Sequence, residues 1–213
     1  MKANRRWRLL TLLRRETLFA FIGGGALGMV FVLVLIEFDH FTSSEQFCTS
    51  CHSMELVAEP YRQSPHYNSA SGVRASCGDC HVSEGVISAT WDHFVGGKDL
   101  LKQIKGAIAG PNYDDPVVSM LHLPDAAFAA RRWFIERDSA TCKRCHVQQA
   151  IQGSRLDTAR VHREDAQGKT CVHCHVNLVH RKVPQQKTFK REAWNRMVEE
   201  EFELPRGSAK NYF

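Results

Sequence analysis

All eight cysteines of this 213-residue chain fall into four Cys-x-x-Cys-His units, with none left over. The units are Cys48–Cys51–His52, Cys77–Cys80–His81, Cys142–Cys145–His146 and Cys171–Cys174–His175. Two thiols and an adjacent imidazole at this spacing suit covalent attachment of c-type haem: the sulfurs bond the porphyrin vinyl groups and the histidine reaches the iron. Tetrahedral zinc would use the paired thiolates, but it gives no reason for a histidine after every second cysteine. A disulfide framework leaves the same histidines unexplained. The chain therefore reads as a carrier of four covalently bound haem c groups, and its business as moving electrons.

Residues 17–36 form an uncharged run, TLFAFIGGGALGMVFVLVLI. At about 1.5 Å per residue such a run reaches about 30 Å, the thickness of a bilayer's hydrocarbon core. Before it stand Lys2, Arg5, Arg6, Arg8, Arg14 and Arg15 against the single acid Glu16. This asymmetry places residues 1–16 in the cytoplasm and everything beyond the run in the periplasm of a bacterial cell. No small-x-small cleavage site follows, since the next residues are Glu37, Phe38, Asp39 and His40, so the run is read as an uncleaved anchor. The formal charge of +5 is accounted for by that N-terminus, because the remainder carries 22 bases and 22 acids. The basic balance is thus no argument for nucleic acid.

Cys48 to Cys77 and Cys142 to Cys171 are both 29 positions, and one further histidine lies inside each interval, His66 and His162. This repeat divides a periplasmic domain, 37–183, into two dihaem modules of about 44–110 and 124–183. About 175 residues (213 less the first 36) then serve four porphyrins, so haem faces replace much of the usual apolar core. Helical periodicity covers Val86 to Ala109 and ends at Pro111 and Pro116. A second helix is expected after Pro124, running through DAAFAARRWFIERD into the third motif. The tail, 184–213, holds an amphipathic segment from Phe189 to Phe202 that is expected to pack back on the domain. No strand pattern of any length is present. The fold class is mainly α with much coil: a single N-terminal transmembrane helix plus a multihaem c-type domain built of two dihaem modules.

His52, His81, His146 and His175 supply one axial ligand each, and six-coordinate haems need more. His66, His162 and His180 are the best distal candidates; His180 stands five residues beyond His175, too close to serve that iron but able to cap a neighbour. His40, His122 and His173 read as surface or hydrogen-bonding residues. The first motif continues to Met54, whose thioether either packs or replaces His52 on the iron.

The anchor followed by FCTSCHSM, SPHYNSASGVRASCGDCHV, CKRCH and CVHCHVNLVH resembles the NapC/NirT/NrfH family of membrane-anchored tetrahaem quinol dehydrogenases over nearly the whole chain. The resemblance implies Met54 as protein ligand of the first haem, with quinol bound beside that haem near the membrane. The family's aspartate on the connecting helix matches Asp99, in GGKDLL; its lysine seven residues earlier falls here on Asp92, flanked by His93. Asp99, Asp92 and His93 are accordingly the candidates for proton handling. Asp92, Gly96 and Asp99 share a helix face, the glycine admits a flat ring, and a carboxylate can accept a proton from quinol. The implied partners are the cytoplasmic membrane, the quinone pool and a periplasmic reductase, oxidoreductase or soluble cytochrome; a homo-oligomer is left open. Two other roles fit the same motifs: quinone reduction with electrons from a hydroxylamine-oxidising system, and an electron-transfer anchor with no quinone site of its own. Reduction of a small molecule at an open first haem would need a cluster of Lys, Tyr, Arg and His that the sequence does not display.

Overall fold

The computed structural model of the chain describes residues 2–153 and 155–213, with side chains from Arg14 onward. It falls into two units, Met1–Phe41 and Thr42–Phe213. The first is a single helix, α1 (Lys2–Thr42), which ends at the first residue of the second unit. Its stretch Arg14–Thr42, 29 residues containing an 18-residue window of mean hydropathy 2.5, is long and apolar enough to cross a membrane. The helix outruns the uncharged segment because no glycine or proline interrupts residues 37–42.

The second unit contains α2 (Glu45–Cys48), α3 (Glu55–Arg62), α4 (Cys77–His81), α5 (Val86–Ala109), α6 (Pro116–Glu136), α7 (Ala140–Lys143), α8 (Thr158–Arg163), α9 (Cys171–Cys174) and α10 (Arg191–Glu201). Short 3-10 turns and coil join them, and no strand occurs among the described residues. The apolar core is small. Val117, Met120, Leu121 and Leu123 of α6 meet Val183 in the coil before α10, Trp194 and Val198 of α10, and Ala209 near the C-terminus. The amphipathic tail segment therefore lies against α6.

The start of α6 departs from the sequence reading. It begins at Pro116, with Asp115 as N-cap accepting from the Val117 amide at 2.8 Å, and it passes straight through Pro124. Proline at a first turn is favourable, whereas inside a helix it removes the amide that would bond the carbonyl four residues earlier. Here that carbonyl belongs to Met120, and it accepts instead from the Trp194 indole at 2.9 Å. Arg191 donates to the neighbouring Leu121 carbonyl at 2.9 Å and grips Asp125 with two bonds of 2.8 and 2.9 Å. Trp194 of the tail thus supplies the donor that proline withholds, and Arg191 braces the next carbonyl along. Nor does α6 run into the third motif: it stops at Glu136, and Asp138 and Ser139 take left-handed backbone with φ of 48° and 52°.

Candidate haem-binding sites

The first cysteine of each Cys-x-x-Cys-His unit lies in a short helical turn, α2, α4, α7 or α9, and two of these turns are capped by serine. Ser44 accepts from the Phe47 amide at 3.2 Å, ahead of Cys48. Ser76 and Asp79 form a reciprocal capping box around Cys77, with Asp79 also accepting from the Ser76 amide at 2.7 Å. Capping fixes a short turn that propensity alone would not hold.

The turns adjoin one another in chain order. The Cys48 and Cys77 thiols lie close enough to perturb one another, as do those of Cys142 and Cys171, each residue of the second pair lying 94 positions after its counterpart. Between the pairs, Cys80 interacts electrostatically with Cys142 and Cys145, and Arg144 donates to the Val82 carbonyl next to His81. Two small residues permit this closeness. Gly78 donates from its amide to the Ser43 carbonyl at 3.2 Å, and a Cβ there would lie 2.5 Å from that of Ser43. Ser139, fully buried, accepts from the Cys171 amide at 3.0 Å and so ties the third motif to the fourth. All eight cysteines are free of disulfides. Among the described residues no three histidine, cysteine or acidic groups gather around a bare-metal position, as zinc would demand.

The histidines pair. His81 and His180 have ring centroids 6.0 Å apart, His66 and His146 6.2 Å, and His162 and His175 6.1 Å. A metal bound at about 2 Å by a nitrogen on either side, each about 1 Å from its ring centre, sets centroids about 6 Å apart. The pairs therefore fit a haem iron held on both faces. His180 bonds through Nδ1 to the Val57 carbonyl at 2.9 Å, and His162 to the Thr158 carbonyl at 2.8 Å. With Nδ1 carrying the proton, Nε2 presents its lone pair for a metal. His66 is set by the loop around it: its carbonyl accepts from the Ala75 amide at 3.0 Å, and Asn68 closes the turn onto the Arg62 carbonyl at 2.8 Å.

His66 and His162, which hold matching places in the repeat, do not do matching work. His162 faces the fourth motif of its own half, whereas His66 faces the third motif, in the other half. His180 returns the exchange by facing the second motif, where Phe134 also packs 5.5 Å from the His81 ring. His52 belongs to no such pair among the described residues, and it shares one exposed 3-10 turn with Met54.

On α5 the proton-handling candidates separate. The Asp92 side chain is largely buried, accepts from the Ser83 amide at 2.8 Å and lies 3.5 Å from Arg137. A cavity bounded by Ser83, Ile87, Ser88, Trp91, Asp92 and Arg137 adjoins it, and neither Asp99 nor His93 reaches that lining. Asp99 is open, with its carboxylate 3.5 Å from Lys102. Gly96, between the two aspartates, has free space where a Cβ would stand. His93 contacts the Ala89 carbonyl through Nδ1 at 2.9 Å. The roles of Ser139, Arg144 and Val57 in holding motifs and ligands carried no signal in the sequence, because each acts on a partner far along the chain.

A helix suited to a bilayer and a mainly helical unit with four adjoining attachment turns define a membrane-anchored multihaem c-type cytochrome. The profile of the NapC/NirT cytochrome c family, N-terminal region, matches residues 12–186, and the chain belongs to that family of membrane-anchored tetrahaem electron-transfer proteins. It is 33% identical to a probable tetraheme cytochrome c-type of Nitrosomonas europaea, over 82% of this chain and 74% of that protein. It is 32% identical to cytochrome c-type protein NapC of Escherichia coli strain K12, over 65% of this chain and 69% of the relative. Cytochrome c-type protein TorC of the same strain is also 32% identical, over 73% of this chain but 40% of TorC. No solved structure matches the chain.

Proposed function

We propose that this cytochrome oxidises membrane quinol and passes the electrons through its haem row to a periplasmic redox partner, with its N-terminus in the cytoplasm. The observation that carries the reading is the row itself: four contiguous attachment turns, three with a facing histidine pair. In this reading His81 and His180 hold the second haem, His146 and His66 the third, and His175 and His162 the fourth. The first haem is held at His52 or Met54, which share one 3-10 turn, and the family resemblance favours Met54. Haem iron supplies one-electron steps, and two histidine ligands keep its potential below that of a His/Met pair.

Quinol oxidation releases two electrons and two protons, so a proton acceptor must stand at the site. Asp99 suits that role: its carboxylate is exposed, with the Lys102 ammonium 3.5 Å away. Asp92 is committed to Ser83 and Arg137, and its place is structural. The test is stopped-flow haem reduction by a quinol in proteoliposomes carrying the full chain. Asp99→Asn should slow quinol-driven reduction by about a hundredfold or more, while dithionite reduces wild type and variant alike. Haems that stay oxidised with quinol but are reduced by a periplasmic donor would reverse the assigned direction, and equal rates in the variant would remove Asp99 from the site.

A further inference from the structure

We propose that α5 makes a second membrane contact, lying in the plane of the bilayer interface with its apolar side in the acyl boundary and its lysines on anionic phospholipid headgroups. The inference goes beyond the quinol reading and does not depend on it. It starts from how α5 is packed. One side of the helix engages the rest of the unit: Ala89 is buried, Asp92 bonds the Ser83 amide, Gln103 bonds Asp114 at 2.7 Å, and Gly106 abuts Pro111 and Tyr113. The opposite side carries Ile87, Trp91, Phe94, Leu101 and Ile108, at successive steps of four, three, seven and seven residues. That spacing follows one helical stripe. These five are 87%, 61%, 75%, 68% and 82% exposed, and the Trp91 and Phe94 rings stack at 5.7 Å. Even with Lys98 and Lys105 standing in the two longer gaps, a row of five large apolar side chains is more than a soluble surface ordinarily shows to water.

The charge pattern selects the occupant. In the C-terminal half Lys98 and Lys105 stand within the stripe and Lys102 beside it, against the single acid Asp99, and their long stems can carry the ammonium groups up to the headgroups. Apolar residues with interfacial tryptophan beside a lysine margin match the boundary between acyl chains and anionic headgroups. A second copy of the chain is a poorer match. Pairing two such faces sets lysines either against lysines or against the Ile87–Trp91–Phe94 end, and neither arrangement is complementary. Lipid is also the occupant held at high effective concentration, because this domain is covalently joined to a helix suited to span the bilayer.

The experiment uses the full haem-loaded chain in vesicles of equimolar phosphatidylcholine and phosphatidylglycerol doped with a phospholipid bearing an acyl-chain diazirine. After photolysis, labelled peptides are mapped by mass spectrometry. Labels are expected on α1 and on the 86–109 peptide. Replacing Lys98 and Lys105 by glutamine, or omitting phosphatidylglycerol, should lower α5 labelling about threefold or more, with α1 labelling and the haem absorption spectrum unchanged. Phe94→Asp should do the same from the apolar side. Labels confined to α1, α5 crosslinked to another copy instead of lipid, or α5 labelling indifferent to all three changes would each overturn the proposal.

Discussion

Glu199 shows how much one carboxylate can organise. It is buried on α10 and accepts from the Ala209 amide at 2.9 Å, and the Gly207 amide also bonds it. These backbone donors, Gly207 first and Ala209 second, hold its carboxyl below the ordinary range. The unfolded chain therefore takes up the proton at higher pH, near the usual glutamate value of about 4.3. The stabilisation is full above that value and is lost as pH falls through the lower, folded one. Acidification should release residues 202–213 before α6 and α10 part, seen as amide exchange in that segment after correction for intrinsic rates. In Glu199→Gln the release should lose its acid dependence; an unaltered profile would assign the effect to another group. Nothing in the sequence singled out Glu199, since its partners are main-chain amides that any sequence provides. The haem cysteines and motif histidines were legible for the opposite reason, because their chemistry is written in the side chains themselves.

α5 and α6 show the two outcomes of reading elements from pattern. The expected span Val86–Ala109 and the observed α5 coincide, because apolar periodicity and the turn at Gly110–Pro111 are both local. The sequence pattern starts α6 too late, because Pro124 reads as a boundary unless something replaces the bond it breaks. Trp194 does so from 74 residues beyond the carbonyl it serves, and Arg191 braces the adjacent Leu121 carbonyl from 70 residues away. Trp194→Phe keeps the ring in the core but strands the Met120 carbonyl, and should cost about 1–3 kcal/mol in denaturant unfolding. Adding Pro124→Ala should recover much of that loss, since an alanine amide can bond Met120 within the helix. Additive effects of the two changes would show that the carbonyl is not what couples them.

At the level of the whole molecule, the proposed ligand exchange makes the two halves one folding unit. His66 crosses 80 positions to His146, and His180 crosses 99 back to His81, while His162 and His175 stay 13 apart. His180→Ala should leave the second haem five-coordinate, adding one high-spin signal to the electron paramagnetic resonance spectrum while covalent haem content remains at four. A spectrum unchanged from the native protein would dissolve the His81–His180 pairing. By itself the sequence determined the number and kind of cofactors, the anchor and the helical class, because thioether attachment, membrane solvation and apolar periodicity act over a few neighbouring residues. Tertiary structure alone decided which histidine faces which motif, which aspartate is exposed and how a proline survives inside a helix. Each of those depends on closing a long loop onto a particular partner, and local spacing carries no information about which closure wins.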